Sequence, residues 1–163
     1  MELLSCSAAR SIGAVVRGVS LSGRSSSGGH TPLQEAAGKL RAALLRSKLL
    51  VFHPECAAGR SGSGALTEDE LVDFFSVFDT PLPQEGRENS RGQRKEIFKV
   101  TNLHDVPAGE EAPTSPFLTD AELEFHSDLS YRTDPGIYSA LYALTLPNGQ
   151  TGSTTIFADT AAA

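Results

Sequence analysis

One histidine and one aspartate, separated by a single residue, could bind a metal ion in this chain. His126 and Asp128 lie in the sequence EFHSDLSY, residues 124–131. If this segment is extended, the two side chains point to the same side, because successive strand side chains alternate between faces. A neutral imidazole and a carboxylate on one face provide two of the three ligands of a 2-His-1-carboxylate facial triad. Such a triad holds non-haem Fe(II) and leaves positions open for oxygen and a co-substrate.

The segments around this pair decide how it is interpreted, because an isolated H-x-D occurs by chance in many proteins. Downstream, residues 137–146 form the apolar run IYSALYALTL, and residues 154–159 read TTIFAD after a Pro-Asn-Gly turn. Upstream, residues 12–22 read IGAVVRGVSLS and residues 49–52 read LLVF. Each of these runs has the apolar and β-branched composition of a strand.

The order of these segments resembles the TauD/TfdA family of Fe(II)/2-oxoglutarate-dependent dioxygenases. FHSDLSY is similar to the family's WHTDLSY-like metal segment, and GSTTIFAD is similar to its GG-D-T-L-F-A-D segment. The opening strand, the LVF strand and the LTEDEL helix at residues 66–71 also match family elements in the same order. The resemblance therefore runs from residue 11 to residue 159, and it implies a double-stranded β-helix (jelly-roll) core.

The resemblance also implies a set of site residues and a reaction. His126 and Asp128 would bind Fe(II), and Thr155 would hydrogen-bond the far carboxylate of the co-substrate 2-oxoglutarate. A small organic substrate, expected to be anionic, would be hydroxylated by O2 while 2-oxoglutarate becomes succinate and CO2. Asp159 matches the FAD element and has no catalytic role that the resemblance assigns.

The chain departs from the family pattern in three respects. Phe125 stands where the family has tryptophan, and residues 153–154 are Ser-Thr where glycine and aspartate are typical. No histidine follows His126, so the family's distal histidine and its carboxylate-binding arginine are not assigned. Arg132 lies beside the metal segment and not in that arginine's position. We therefore expect residues 1–163 to be a single, C-terminally truncated dioxygenase domain with little activity on its own.

Composition excludes several other classes of protein. The net charge of −6 argues against a nucleic-acid partner, because phosphate binding requires basic patches. Cys6 and Cys56 form neither a disulfide framework nor a zinc spacing, which suits a reducing compartment, with the cytoplasm as the default. No apolar run reaches the ~20 residues of a membrane-spanning helix. The oligomeric state is left open.

Hydrophobic periodicity predicts an α+β fold with two helices in the first half of the chain. The first helix begins at Thr31-Pro32, an N-cap residue followed by proline. The second begins with a capping box formed by Thr67 and Glu70 and ends at residues 80–83. Strands are predicted at residues 11–21, 48–52 and 96–101, and residues 104–117 form a long loop. The apolar faces of the two helices are predicted to contain Leu33, Ala36, Ala37, Leu40, Leu44 and Leu45, and Leu71, Phe74, Phe75 and Phe78, respectively.

Alternatives to the enzyme interpretation stay open at this point. The chain could be a non-catalytic jelly-roll binding or regulatory module, or an unrelated α+β domain whose H-x-D is accidental. Thr155 could also be an ordinary strand residue. Two groups of side chains are interpreted as structural: Tyr131, Tyr138 and Tyr142 in the core or a pocket wall, and His30, His53 and His104 at the surface.

Overall fold

A small mixed sheet organises the N-terminal part of the chain. The computed structural model describes residues 2–5, 12–22, 32–57, 65–84, 92–100, 123–144 and 154–162. The sheet consists of β1 (Glu2–Ser5), β2 (Ala14–Arg17) and β3 (Leu50–Phe52), in the order β1-β2-β3. β2 pairs antiparallel with β1 and parallel with β3. The parallel pair requires a crossover, which is made by the helix α1 (Pro32–Ser47).

The predicted first strand is confirmed in its centre but is shorter than expected. Ala14 and Val16 are buried while Val15 and Arg17 are partly exposed, which is the alternation of a strand with one covered face. Gly13 (φ 111°) and Gly18 (φ 67°) bound the strand on either side. Their positive φ angles take the backbone out of the β region, so the regular strand is limited to Ala14–Arg17 among the described residues.

Helix α1 begins at the predicted position, and most of its predicted face is correct. Leu33, Ala36 and Leu40 are buried, and Ala43 joins them. The prediction for Leu45 is wrong, because this side chain is 72% exposed. At 3.6 residues per turn, position 45 lies about a third of a turn away from the face that contains Leu33. The predicted cap, Thr31, lies outside the described residues.

Strand β3 is half-buried, whereas the sequence predicted a buried strand over residues 48–52. Only Leu50–Phe52 pairs with β2, and Val51 is 51% exposed. β3 lies at the edge of the described sheet, so its side chains receive less cover than those of the central strand. Phe52 faces the helix α2 (Glu68–Phe75), where its ring meets that of Phe74 edge to face at 5.0 Å.

The capping box at the start of α2 is confirmed. The Glu70 amide donates to the Thr67 hydroxyl at 3.2 Å, and the Glu70 carboxylate accepts from the Thr67 amide at 2.8 Å. The helix ends at Phe75, earlier than predicted. The amide and the hydroxyl of Ser76 both donate to the carbonyl of Val72. The amide of Val77 then bonds only three residues back, to Phe74, so the chain tightens and leaves the helix.

Aromatic rings join α2 to its neighbours. Phe74 is buried and contacts Phe75 at 5.3 Å and Phe78 at 5.6 Å between ring centroids. Phe78 contacts Tyr138 at 6.1 Å. The Tyr142 hydroxyl also accepts a hydrogen bond from the amide of Leu66 at 2.9 Å. The two tyrosines therefore attach residues 137–144 to the residues that flank α2. Tyr142 is partly buried, but Tyr138 is 40% exposed, so its predicted place in the core or a pocket wall is wrong.

Several predicted strands are not formed by the residues that the structure describes. Residues 137–144 and 154–159 contain no strand, and residues 96–100 contain a single bridge at Phe98. The α+β class and the N-terminal helices are confirmed, but the jelly-roll core is not visible in the described ranges. The predicted loop at residues 104–117 lies outside them. Large apolar side chains of the two C-terminal segments are exposed: Ile137, Leu141, Leu144, Ile156 and Phe157.

The chain divides into two compact units, Met1–Pro81 with Gly136–Ala163, and Leu82–Pro135. The second unit contains a turn at residues 92–97, in which the Gly92 amide donates to Ile97 at 3.0 Å. Arg94 pairs with Glu96 at 3.3 Å. Partial desolvation opposes ionisation of Glu96, but hydrogen bonds from its own backbone amide and from Arg94 outweigh it and lower the pKa of this carboxyl.

Two leucines of α1 offer a matched test of this core. We expect Leu40→Ala to lower the free energy of unfolding by about 2–5 kcal/mol, because a fully buried side chain leaves a cavity. Leu45→Ala removes the same atoms from an exposed position and should change it by less than about 0.5 kcal/mol. Urea denaturation followed by circular dichroism measures both. Equal losses would contradict the assignment of Leu40 to the core.

Candidate functional site

His126 and Asp128 lie close together, although not for the reason that the sequence suggested. The Nε2 atom of His126 is 3.5 Å from Oδ1 of Asp128, and both side chains are 55% exposed. The prediction that they share one side is confirmed. The segment is not a strand, because residues 126–127 are irregular and residues 128–131 form a turn.

Leu129 changes the direction of the backbone directly after Asp128. Its φ of 55° lies in the left-handed region, which a residue with a branched side chain rarely adopts. The turn is closed by the amide of Arg132, which donates to the Leu129 carbonyl at 3.0 Å. Backbone conformations of this kind cluster at binding sites, where the surroundings hold them in place. Here the left-handed residue Leu129 turns the chain directly after the candidate ligand Asp128.

The backbone of Glu124 fixes the proton of the His126 ring. Nδ1 lies 2.8 Å from the Glu124 carbonyl oxygen, and a carbonyl oxygen can only accept a hydrogen bond. Nδ1 therefore carries a hydrogen. In the neutral ring, Nε2 then has a free lone pair directed toward the carboxylate of Asp128. Two acceptors that lie this close together could bind one metal ion between them.

The donor set fits two positions of a divalent metal ion. Two donors that each lie about 2.1 Å from an ion, at a right angle, are separated by about 3 Å. The observed 3.5 Å needs only a small closure of the pair. A histidine that donates its other ring hydrogen to a carbonyl is the usual arrangement of a metal-bound imidazole. Within the described ranges no third His, Cys, Asp or Glu side chain joins these two.

Thr155, the predicted co-substrate residue, belongs to the other unit of the chain. It is exposed and lies in an irregular segment, so the strand predicted for it is not formed in the described residues. Phe125, beside the candidate ligands, is 72% exposed. Tyr131 is 74% exposed, so its predicted place in the core or a pocket wall is wrong.

Among the described residues, the other histidine and cysteine, His53 and Cys56, form no metal-ligand group with this pair. His53 is partly exposed, and its amide donates to the Val16 carbonyl at 3.0 Å. Cys56 is a buried free thiol that donates to the same carbonyl at 3.5 Å. This buried thiol is a structural group, because it sits against the central strand. Cys6, His30 and His104 lie outside the described residues.

The structure gives Asp159 a role that the sequence did not indicate. Its carboxylate pairs with the ammonium group of Lys48 at 2.5 Å. It also accepts from the amide of Ala161 at 3.1 Å. The hydrogen bond from Lys48 is the main cause that lowers the pKa of Asp159. The partners are 111 positions apart, and no local pattern in a sequence indicates such a pair.

Comparison with known proteins identifies the family. The model of the taurine catabolism dioxygenase TauD, TfdA family matches residues 22–163. This range covers most of the chain, so the chain belongs to this family of dioxygenases. The interpretation as an unrelated α+β domain is therefore wrong. No curated protein and no solved structure matches the chain. Among the helices that the structure describes, none has the length and apolar character to cross a membrane.

Metal titration of alanine variants, with a control at a third position, tests the His126–Asp128 pair. We expect His126→Ala and Asp128→Ala each to weaken binding of Co(II), an oxygen-stable substitute for Fe(II), by more than ~10-fold. Loss of a residue that only hydrogen-bonds to a metal ligand already lowers metal affinity by about 10-fold or more, so loss of a ligand should lower it at least as much. Asp134→Ala removes an exposed carboxylate from the same unit and should leave the affinity unchanged. Calorimetric titration gives the three affinities, and equal values in all variants would contradict a metal site.

The Lys48–Asp159 pair should give the unfolding free energy a defined pH dependence. The pKa of folded Asp159 lies below its ordinary value of 3.8. Its stabilising contribution is therefore complete above that value and is lost as the pH falls through the lower, folded-state pKa. Urea denaturation at a series of pH values should show a steeper acid loss in the wild type than in Asp159→Asn. Parallel curves would contradict the pairing.

Proposed function

We propose that this chain is an Fe(II)/2-oxoglutarate-dependent dioxygenase domain that hydroxylates a small organic substrate. The observation that carries this proposal is the His126–Asp128 pair, in which Nε2 faces Oδ1 at 3.5 Å while Nδ1 is held by the Glu124 carbonyl. Membership of the TauD/TfdA family supports the reaction class. The anionic character of the substrate is inferred from the family alone.

His126 and Asp128 would hold the iron in this proposal. Fe(II), when bound, would supply the redox chemistry in which O2 converts 2-oxoglutarate to succinate and CO2 and a hydroxyl group enters the substrate. The imidazole contributes a neutral donor and the carboxylate contributes one negative charge, the pairing found in facial-triad sites. The Glu124 carbonyl keeps the ring in the tautomer whose Nε2 is free to bind.

Thr155 would orient the co-substrate. Its hydroxyl can donate a hydrogen bond to the far carboxylate of 2-oxoglutarate, and its exposed position leaves that hydroxyl accessible. The acidic net charge of the chain gives no general attraction for a dianionic co-substrate. Binding therefore depends on individual donors such as Thr155, together with the iron.

We further propose a jelly-roll core for this single domain, in which residues 137–144 and 154–159 are strands. Ile137, Leu141 and Ile156 support this, because they are large apolar side chains that are exposed in the described structure. Strand side chains of that kind are usually covered by a second sheet. The third metal ligand is not a histidine that follows Asp128 in this sequence. We therefore expect the 163 residues alone to have little activity.

A non-catalytic binding or regulatory module is the second candidate. The half-exposed pair favours it, together with the absence of a third donor in the described part of the chain. Two ligands hold a metal ion less firmly than three, and an open site does not exclude water. This candidate predicts binding of iron and 2-oxoglutarate without turnover. For either candidate we expect a reducing compartment, the cytoplasm by default, and the free thiol of Cys56 supports this.

Binding of 2-oxoglutarate under anaerobic conditions tests the proposal. We expect 2-oxoglutarate to bind only when Fe(II) is present, and Asp128→Ala to abolish this binding, because the iron provides the main contact. Thr155→Ala should weaken binding by about 10-fold, the effect of losing one hydrogen bond to a charged group. Thr155→Ser retains the hydroxyl and should bind nearly as well, and Thr154→Ala is the control at the adjacent exposed threonine. Iron-independent binding would contradict the proposed function.

Turnover by the isolated chain tests the expected inactivity. Succinate formation is measured after Fe(II), 2-oxoglutarate and O2 are added to the isolated chain. We expect little product. Rapid iron-dependent succinate formation would show that the isolated chain is active, which contradicts both the expected inactivity and the non-catalytic candidate.

A further inference from the structure

Lys48 occupies a position at the end of α1 where a glycine would be the least strained residue. Its φ is 63°, and its amide donates to the Leu44 carbonyl at 2.6 Å. This is the left-handed arrangement that commonly terminates helices, usually with glycine because it has no Cβ. A side chain at such a position lowers stability. Its presence therefore indicates a contact that glycine could not make.

The contact that Lys48 makes is the ion pair with Asp159. The left-handed backbone at residue 48 lies between α1 and β3, so the lysine stem starts at a fixed point of the N-terminal unit. Its ammonium group reaches Asp159 at 2.5 Å. Asp159 in turn binds the amide of Ala161 through its other carboxylate oxygen. The carboxylate thus joins a rigid helix end to a segment without secondary structure.

Residues 154–159 have little packing to hold them. Thr154, Thr155 and Ala158 are exposed, and the exposed fractions of Ile156 and Phe157 are 65% and 51%. A segment whose apolar side chains are exposed gains little from burial. Among the described residues, the Lys48–Asp159 pair is the polar contact that links this segment to another element. Its position relative to α1 therefore depends on this ion pair.

We propose that Lys48 and Asp159 are positioning residues whose ion pair holds residues 154–159, and with them Thr155, against the end of α1. The role for Thr155 in anion binding rests on the proposed function, whereas the attachment of the segment does not. The pair acts on the ligand through Thr155 and does not touch it. The charge of Lys48 restricts where the Thr155 hydroxyl can point, and this effect accounts for a lysine at a strained backbone position.

The size of the effect follows from the exposure of the pair. The side chains of Lys48 and Asp159 are 46% and 21% exposed, so solvent and salt screen much of their attraction. Pairs of this kind shift a local equilibrium by about two- to fivefold. The shift should decrease in high salt.

Limited proteolysis of the whole chain with chymotrypsin tests the attachment, because cleavage after Phe157 requires residues 154–159 to detach and enter the protease. We expect Lys48→Gly and Asp159→Asn to speed this cleavage by about two- to fivefold. Lys48→Arg, which keeps the charge, should stay near the wild type, and so should the double charge reversal Lys48→Asp with Asp159→Lys. Lys39→Ala, which removes an exposed lysine of the same helix, is the control.

Thermal unfolding separates positioning from ordinary stabilisation. Lys48→Gly relieves the left-handed strain, so its melting temperature should equal or exceed that of the wild type while cleavage after Phe157 becomes faster. If Lys48 were purely structural, Lys48→Gly would lower the melting temperature and leave the cleavage rate of folded protein unchanged. That result, or unchanged cleavage in both Lys48→Gly and Asp159→Asn, would overturn the proposal.

Binding of 2-oxoglutarate in the presence of Fe(II) provides the functional readout. Lys48→Gly should raise the dissociation constant by the same two- to fivefold factor by which it speeds cleavage, whereas Lys48→Arg should bind as the wild type does. Unchanged affinity alongside faster cleavage would overturn the link to Thr155. If the wild type binds no 2-oxoglutarate but cleavage responds as expected, the proposed function fails and the attachment stands.

Discussion

The parallel pairing of β2 with β3 is the constraint on which the rest of the N-terminal unit depends. Two parallel strands cannot be joined by a tight turn, so a helix has to cross over between them. That crossover is α1, and it buries its apolar face to do so. Val16, fully buried in β2, is at the centre of this arrangement. Its carbonyl accepts from both the His53 amide and the Cys56 thiol, so the chain that follows β3 is fixed to the same strand.

The candidate metal pair is independent of this core. His126 and Asp128 belong to the Leu82–Pro135 unit and are brought together by a local turn at Leu129 and a backbone contact at Glu124. Neither contact requires a sheet. A pair organised in this way can be present while further ligands and a water-excluding enclosure depend on other parts of a fold. In the proposed function, iron binding and catalysis are therefore separable.

In the rest of the first unit, residues 137–144 and 154–159 have strand-like sequences but form no strand in the described structure. Tyr138 and Tyr142 attach residues 137–144 to the residues that flank α2. Asp159 attaches residues 154–159 to Lys48, at the end of α1. Side-chain contacts of this kind hold a segment near a core but do not satisfy its backbone, as neighbouring strands do. Apolar side chains such as Leu141 and Phe157 consequently stay exposed. The position of these segments therefore depends more on a few polar contacts than it would in a complete sheet.

The sequence by itself determined the features that depend on neighbours a few positions apart. These include the α+β class, the start of α1, the capping box at Thr67, the proximity of His126 and Asp128, and the family. Each is set by a helical period, a cap or a one-residue spacing, and such local rules need no knowledge of the remaining chain.

Only the tertiary structure decided which faces are covered and which distant residues meet. In the structure Leu45 is exposed, β3 lies at an edge of the described sheet and α2 ends at Phe75. The hydrophobic pattern of the sequence predicted otherwise in each case. The structure also pairs Lys48 with Asp159 across 111 positions. Burial and long-range pairing depend on where whole elements come together in space, and that placement is a property of the packed chain, which no short stretch of sequence encodes.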